Sequence, residues 1–214
     1  MKRQRWPALK RGLVAILRGI QPNEAAAMAQ IVLEAGIEAV EVPLNSPEPF
    51  TSIERIASVL PASALVGAGT VLSAADVRNV ANAGGRLMVS PNIDADVMGQ
   101  ASDLGLVTMP GVFTPTEALL ALRIGASALK FFPASVLGPQ GIGAFLTILP
   151  PGIAVGAVGG VSDKDFAAYS AVGVRLFGLG SSLYKPGMTA DDVRRRATLA
   201  VAEWDRVFAG NANG

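Results

Sequence analysis

The sequence predicts an α/β fold of the (β/α)8 TIM-barrel type, formed as a single domain by residues 1–214. Two patterns support this prediction. Short apolar runs recur at fairly even spacing, and helical segments lie between them, often beginning at a capping residue or a proline and ending at a glycine. Strands of a parallel sheet are buried on both faces, so continuous apolar runs are typical of them. A chain of 214 residues also suits one α/β barrel, which commonly has about 200–250.

Eight apolar runs predict the strands, at residues 14–17, 39–42, 64–67, 87–89, 106–109, 128–131, 153–157 and 174–179. Helical periodicity predicts helices at residues 22–35, 73–83, 114–124 and 162–172, each followed by glycine, and a final amphipathic helix at residues 191–209. A leucine-rich solenoid is disfavoured because no fixed Leu/Asn repeat appears. A doubly wound open sheet is the alternative, but the absence of a linker favours a closed barrel.

Composition excludes several classes of function. The 18 basic and 17 acidic residues leave a net charge of only +1. Such a small charge produces no electrostatic field that would attract polyanions, so no nucleic-acid partner is expected. The chain has no cysteine and no histidine, which removes disulfides, thiol catalysis, histidine-dependent triads and the usual zinc ligands. Proton transfer must therefore use carboxylate, lysine, tyrosine or water, and no metal site is expected.

The start of the sequence is not expected to be a signal peptide or a membrane anchor. Residues 1–11 form a basic N-terminal segment, and the apolar stretch at residues 13–17 stops at Arg18, which is too short for a signal peptide or a membrane span. We therefore expect a soluble cytoplasmic protein with no membrane partner. Residues 210–214 are expected to form a flexible tail.

Lys130 is the most informative residue, since it is the only lysine between Lys10 and Lys164 and lies in the apolar run at residues 128–133. A buried ammonium group must be paired, hydrated through a cavity, or neutral. A neutral lysine is a nucleophile for carbonyl carbon. This position therefore predicts Schiff-base chemistry.

Glu41 ends the second predicted strand and is the one evident base at a strand end. In a barrel, functional groups gather at the C-terminal ends of the strands, so Glu41 and Lys130 are expected to face the same interior. A Schiff base at Lys130 would make an electron sink of a bound keto acid, and Glu41 could then move protons. The alternative is that the two residues form a structural ion pair.

Small-residue turns after the last two strands, at residues 158–162 and 179–182, predict a phosphate site. Each turn alone is ordinary loop chemistry, but the pair indicates a phosphorylated substrate.

Arg18 ends the first strand, where it could clamp a carboxylate or pair with a neighbouring acidic side chain. Thr70 could donate a hydrogen bond to the substrate or cap the helix that begins near Ser73.

Six segments carry a resemblance to a known family: Glu-Val-Pro-Leu-Asn at 41–45, Gly-Ala-Gly-Thr-Val-Leu at 67–72, Ser-Pro-Asn at 90–92, Pro-Gly at 110–111, Ala-Leu-Lys-Phe-Phe-Pro-Ala at 128–134, and Ala-Val-Gly-Gly-Val at 157–161. Together they resemble the class I 2-keto-3-deoxy-6-phosphate sugar-acid aldolases, over about residues 12–187.

The resemblance implies a (β/α)8 barrel that assembles as a homotrimer, needs no cofactor, and cleaves a phosphorylated 2-keto-3-deoxy acid to pyruvate and glyceraldehyde 3-phosphate. It assigns the Schiff base to Lys130 and proton transfer to Glu41. The remaining positions that it implies are Arg18, Thr70 and Pro91 about the pyruvyl part, Phe132 beside the lysine, and Gly159, Gly160, Gly180 and Ser181 at the phosphate.

Two departures indicate a branch within the family. The gluconate branch typically has Glu-Val-Thr-Leu-Arg-Thr after strand two and Thr-Gly-Gly-Ile after strand seven, whereas this chain has Asn45 at the arginine position and Val158 at the threonine position. These segments resemble the galactonate branch. Because the family arginine is missing at the position of Asn45, Arg18 becomes more important as a carboxylate clamp. The expected substrate is 2-dehydro-3-deoxy-6-phosphogalactonate. The alternatives are its gluconate epimer and a noncatalytic phosphosugar-binding barrel.

Overall fold

The computed structural model describes residues 4–209, and within that range nine strands form one parallel sheet with eight α-helices. The strands are β1 (Leu13–Ile16), β2 (Ala39–Pro43), β3 (Leu65–Gly69), β4 (Leu87–Val89), β5 (Val107–Met109), β6 (Gly111–Val112), β7 (Ala128–Phe131), β8 (Ala154–Val158) and β9 (Leu176–Leu179). The helices are α1 (Pro22–Glu34), α2 (Pro49–Val59), α3 (Ala74–Asn82), α4 (Ala95–Asp103), α5 (Pro115–Arg123), α6 (Ala134–Leu146), α7 (Phe166–Ala171) and α8 (Ala190–Phe208). Residues 1–3 of the basic segment and the tail at 210–214 lie outside the described residues.

The sheet is a nearly closed barrel. Its order is β5-β4-β3-β2-β1-β9-β8-β7-β6, and the two end strands are consecutive in the chain with only Pro110 between them. Proline has no N–H to donate, so the ladder is interrupted there. The Pro110 carbonyl accepts a hydrogen bond from the Lys130 N–H at 3.0 Å, which joins the interrupted strand to β7. The predicted α/β class is confirmed, whereas the short strand β6 was not foreseen.

All the predicted helices are present, with ends that differ by a few residues. The helix predicted at residues 162–172 begins with a 3-10 turn over Asp163–Asp165 and continues as α7. The periodicity did not identify α2, α4 or α6. Helix α6 is kinked where Gly138 takes a φ of 67° just before Pro139, so its sequence lacks a continuous helical pattern.

Side chains along each strand alternate between two cores. One core fills the space between the sheet and the helices, and the other fills the barrel interior. Ala39 of β2 and Ala128 of β7 belong to the interior core. Glu41 and Lys130 lie two residues further along the same strands, so the alternation turns both charged side chains into the barrel.

No helix within residues 4–209 combines the length and the apolar composition that crossing a membrane would require.

Candidate active site

A pocket of about 320 Å³ opens at the C-terminal ends of β1, β2, β7, β8 and β9. Its lining combines charged side chains with glycine-rich turns. Its lining residues are Ile16, Arg18, Glu41, Lys130, Phe132, Val158, Gly159, Gly160, Val161, Gly178, Gly180 and Ser181.

Lys130 lies in the middle of the barrel wall with its side chain in the pocket. Its register partners on β6 and β8 are Gly111 and Gly156, which have no side chains to crowd it. The residue is only 5% exposed, and its Nζ lies 4.6 Å from the centroid of the Phe132 ring. Burial lowers the pKa of Lys130, the charge of Glu41 acts against this shift, and Arg18 adds to it. A larger fraction of neutral amine is therefore available to react.

Glu41 is buried in the same pocket, with 2% of its surface exposed. Burial raises the pKa of Glu41 to about 7, although Lys130, Arg18 and the Gly69 N–H all act to lower it. A carboxyl group with this pKa can hold or release a proton near neutral pH. Its Oε2 is buried and has no hydrogen-bond partner within the described part of the chain. That oxygen can therefore bind a reacting group or a water.

The backbone of Gly69 is what leaves room for the Glu41 carboxylate. A Cβ placed on Gly69 would lie 2.0 Å from Glu41 Oε2 and 2.3 Å from its Cδ. Gly69 ends β3, and its neighbour Gly67 is the register partner of Glu41. The Gly-Ala-Gly sequence of this strand therefore creates the space in which the carboxylate lies.

The structural ion pair considered for Glu41 and Lys130 is not formed. None of the ion pairs between residues 4 and 209 joins these two side chains. They affect each other's pKa through the shared pocket rather than through direct contact. Both groups therefore remain available to a ligand.

Arg18 stands at the mouth of the pocket and is held by neutral partners. Its Nη1 donates to Asn45 Oδ1 at 2.5 Å and its Nη2 donates to Thr70 Oγ1 at 3.5 Å. The neighbouring Gly19 N–H donates to Ser46 Oγ at 2.9 Å. The acidic partner considered for Arg18 is absent from these contacts. Because these hydrogen-bond partners are an amide and a hydroxyl rather than a carboxylate, Arg18 can still bind the carboxylate of a substrate.

Thr70 and Pro91 do not line the pocket. Thr70 contacts Arg18 at the rim and takes a left-handed φ of 56°. The alternative role of Thr70 as the cap of the following helix is wrong, since Ser73 is the N-cap of α3 and its side chain accepts from the Asp76 N–H. Pro91 packs through its backbone, because a Cβ on Gly111 would lie 2.1 Å from the Pro91 carbonyl oxygen.

The two predicted phosphate turns meet at the other side of the pocket. Gly159 and Gly160 have φ of 90° and 73°, which glycine adopts without strain. Space also requires glycine, because a Cβ on Gly159 would lie 2.9 Å from the Phe132 ring and one on Gly160 would lie 2.4 Å from Ser135 Oγ. Ser182 Oγ donates to the Val161 carbonyl at 3.1 Å, which ties the two turns together.

Two lining residues were missed, Ile16 and Gly178, whereas Val161 lies within the predicted turn at residues 158–162. A Cβ on Gly178 would lie 2.8 Å from Val158 Cγ2 and 3.2 Å from Ile16 Cδ1, so the glycine accommodates both side chains. The alternation along β1 and β9 could have identified Ile16 and Gly178, because both follow an interior residue by two positions.

Comparison with known proteins agrees with this geometry. Residues 8–199 match the family model for KDPG and KHG aldolases. The chain is 56% identical to the probable 2-dehydro-3-deoxy-6-phosphogalactonate aldolase of Rhizobium meliloti (strain 1021), over 98% of this chain and 99% of that protein. It is 46% identical to the 2-dehydro-3-deoxy-6-phosphogalactonate aldolase of Escherichia coli (strain K12), over 88% and 92% of the two chains. A solved structure of native KDPGal shares the fold with a TM-score of 0.93 and 43% identity, over 96% of this chain and 100% of that one.

The predicted family is thus confirmed across nearly the whole chain, and with it the assignment to the lyases. The similarity is not limited to the six short segments, because the fold of native KDPGal matches 96% of this chain. The chain belongs to the KDPG and KHG aldolase family.

Proposed function

We propose that this chain is a class I, Schiff-base aldolase that cleaves 2-dehydro-3-deoxy-6-phosphogalactonate to pyruvate and glyceraldehyde 3-phosphate. The observation that carries the proposal is a desolvated lysine amine in an open pocket beside a carboxyl group that titrates near neutrality. The relatives from Rhizobium meliloti and Escherichia coli support the choice of substrate.

In the first half of the reaction, the neutral amine of Lys130 attacks the C2 ketone and forms a C–N bond. Glu41 in its acid form donates a proton to the resulting hydroxyl, which leaves as water and produces the iminium. The Glu41 carboxylate left by this step takes the proton of the C4 hydroxyl through a water, and the C3–C4 bond breaks as the C4 oxygen becomes the carbonyl of the aldehyde. The electron pair of that bond moves to the iminium, so an enamine of pyruvate remains on Lys130 and the aldehyde departs.

In the second half, Glu41 delivers a proton to C3 of the enamine through a water. Water then adds to the iminium, the Glu41 carboxylate takes up the proton that this step releases, and the carbinolamine collapses to pyruvate and the free amine of Lys130. The iminium is the electron sink, so the proposed reaction involves no cofactor. A group with a pKa near 7 suits a role that alternates between acid and base.

The polar rim orients the substrate across the pocket. Arg18, together with Thr70, is proposed to hold the carboxylate, and the turns at Gly159, Gly160, Gly180 and Ser181 are proposed to hold the phosphate. Phe132 packs beside the amine. Pro91 packs on Gly111, a neighbour of Lys130 across the sheet, so its proposed role is to shape the wall behind the pyruvyl part.

The sheet is further proposed to be a (β/α)8 barrel in which β5 and β6 are two halves of the fifth strand. Their adjacency in the chain and their positions at the two ends of the sheet order support this assignment.

The assembly is proposed to be a homotrimer in the cytoplasm, by resemblance to the family. Light scattering on the purified protein would measure the mass of the assembly.

Substrate choice between the two epimers is expected to depend on Val158. This buried side chain presents methyl groups to the pocket, where a threonine would present a hydroxyl. In Val158→Thr we expect the ratio of kcat/KM for the galactonate substrate to that for the gluconate substrate to fall by roughly tenfold. Coupled detection of pyruvate with each purified acid measures both values.

The matched control for this substitution is Val158→Ala, which removes methyl groups without adding a hydroxyl. We expect it to lower both kcat/KM values together. An unchanged ratio in Val158→Thr would contradict the role of Val158, whereas faster turnover of the gluconate acid by the wild type would favour the gluconate alternative. Absence of pyruvate release from either acid would favour the noncatalytic phosphosugar-binding barrel.

The position of Glu41 is expected to depend on Gly69. In Gly69→Ala the new methyl group would overlap the carboxylate, which must therefore move. We expect turnover to fall by about 10²-fold, the lower end of what general acid–base catalysis contributes. Steady-state kinetics combined with urea unfolding separates this loss from misfolding.

Gly99→Ala in α4 is the matched control, because nothing lies within 4 Å of a Cβ at that position. It is expected to keep full turnover and to stabilise the protein by about 0.5–1 kcal/mol, since alanine favours a helix interior. Full activity in Gly69→Ala would disprove the proposed dependence on this glycine.

A further inference from the structure

Arg196 on α8 makes an unusual contact with the turn that follows β9. Its neighbours on the helix, Arg194 and Arg195, form ion pairs with Asp191 and Asp192 at the start of α8. Arg196 instead donates through Nη1 to two backbone carbonyls of the turn, at 3.2 Å and 3.3 Å. None of the ion pairs that the structure describes neutralises it.

The two carbonyls belong to Ser181, which lines the pocket, and to Ser182, which comes next in the turn. In a trans peptide the C=O and the following N–H point in opposite directions. Because the Ser181 carbonyl points toward Arg196, the Ser182 N–H points away from α8. The contact therefore fixes the direction of a backbone donor at the turn where the phosphate is proposed to bind.

Ser182 extends this contact to the neighbouring turn. Its hydroxyl donates to the carbonyl of Val161, which follows Gly159 and Gly160 in the turn after β8. Arg196 and Ser182 also line the same small cavity of about 40 Å³, together with Asp163, which forms no ion pair with Arg196. A chain of hydrogen bonds thus runs from the guanidinium through the second turn to the first.

We propose that Arg196 is a positioning residue for the phosphate group of the substrate. It orients the turn at residues 180–182 and places a positive charge behind it, so that the enzyme prefers phosphorylated aldehydes. This inference rests on the proposed aldolase function. Arg196 itself does not line the pocket, so its effect on the phosphate passes through the backbone of the turn and through its charge.

The test uses the condensation direction, with pyruvate and either glyceraldehyde 3-phosphate or unphosphorylated glyceraldehyde. In Arg196→Gln we expect the ratio of kcat/KM for the phosphorylated aldehyde to that for glyceraldehyde to fall by about tenfold, which is the effect of one hydrogen bond to a charged group. Arg196→Lys keeps the charge but loses the fixed geometry of the guanidinium, so we expect partial recovery of the ratio.

Arg195→Gln is the matched control, since Arg195 is 66% exposed, pairs only with Asp192 in the described contacts, and lies on the same helical turn. In this control the ratio of kcat/KM for the phosphorylated aldehyde to that for glyceraldehyde, the aldehyde ratio, should equal that of the wild type. A proportional loss of activity with both aldehydes in Arg196→Gln would mean that Arg196 only supports the fold, and this result would overturn the proposal. An unchanged ratio would overturn it too.

Failure of the aldolase function itself would look different. In that case the wild type would release no pyruvate from the keto acid, and borohydride would trap no pyruvate on Lys130. If the wild type turns over and is trapped while Arg196→Gln keeps the aldehyde ratio, only the positioning role is lost.

Discussion

Turnover in a Lys130→Met variant is expected to fall by on the order of 10⁴-fold or more, as for the loss of a covalent nucleophile in other enzymes. Methionine has a length similar to that of lysine but no amine, so it cannot form the Schiff base. The variant should still bind the keto acid through Arg18 and the phosphate turns, because those groups are unchanged. Pyruvate release from saturating substrate is the measurement.

The fold is expected to survive this substitution. The wild-type protein carries the cost of desolvating an amine that is 5% exposed, and an apolar side chain of similar size removes that cost. We therefore expect a urea midpoint equal to or above that of the wild type. Such a result would show that loss of turnover reflects lost chemistry and not unfolding.

Trapping gives an independent test of the same residue. Borohydride added to wild-type enzyme with pyruvate should reduce the iminium to a stable secondary amine, which peptide mass spectrometry would find on Lys130. The matched control is Lys10→Met, because Lys10 is exposed and precedes β1, at the opposite end of the barrel from the pocket. The proposed mechanism would be abandoned if Lys130→Met kept its activity or if the label appeared on another lysine.

Replacing Glu41 by glutamine is expected to lower turnover by about 10²–10⁴-fold, the range that general acid–base catalysis contributes. Glutamine fills the same space on Gly69 but cannot exchange a proton with the carbinolamine or the enamine. The pH profile of kcat/KM should therefore show a group titrating near 7 in the wild type, and this group should be missing from the variant.

The same substitution should change how stability depends on pH. The pKa of Glu41 is about 7 in the folded protein, above its ordinary value of 4.5, so the folded state binds this proton more tightly than the unfolded state. This contribution to stability is fully present below about pH 4.5 and is lost as the pH rises through 7. Glutamine does not ionise, so its side chain does not contribute to this loss. The free energy of unfolding of the variant, minus that of the wild type, should therefore rise by on the order of 1–3 kcal/mol from pH 5 to pH 8.

Urea unfolding at the two pH values measures this gain, and Glu34→Gln is the matched control because Glu34 is exposed at the end of α1. Its stability difference from the wild type should stay nearly constant between pH 5 and pH 8. Wild-type turnover in Glu41→Gln would rule out the proposed proton transfer. A constant stability difference in Glu41→Gln would show that the carboxyl group titrates well away from neutrality.

The candidate site could be located from the sequence because its strongest signals are local. Lys130 is a single charge in an apolar run, and Glu41 ends another such run. Residues two apart in a strand face the same side, so the apolar residues before each charge indicate which way it points. The glycine turns after the last two strands were recognisable for the same reason, since their conformations are set by a few adjacent residues.

Local signals failed where neighbouring residues gave no regular pattern. Helix α6 contains Gly138 and Pro139, which break the helical periodicity, and the two-residue strand β6 follows Pro110, beyond the end of the fifth predicted strand. Both segments acquire their structure from packing against the rest of the barrel, because propensity is a weak preference that tertiary contacts override.

The alternation of strands and helices, the family, and the two charged residues that are proposed to carry the chemistry could all be read from the sequence. The folded barrel was needed to show that Arg18 is held by Asn45, that Glu41 packs against Gly69 and has a pKa near 7, and that Arg196 contacts the turn after β9. Caps, periodicity and turn residues act within a few positions of the chain. Contacts and pKa shifts instead depend on which distant strands become neighbours and how much water they exclude when the barrel forms.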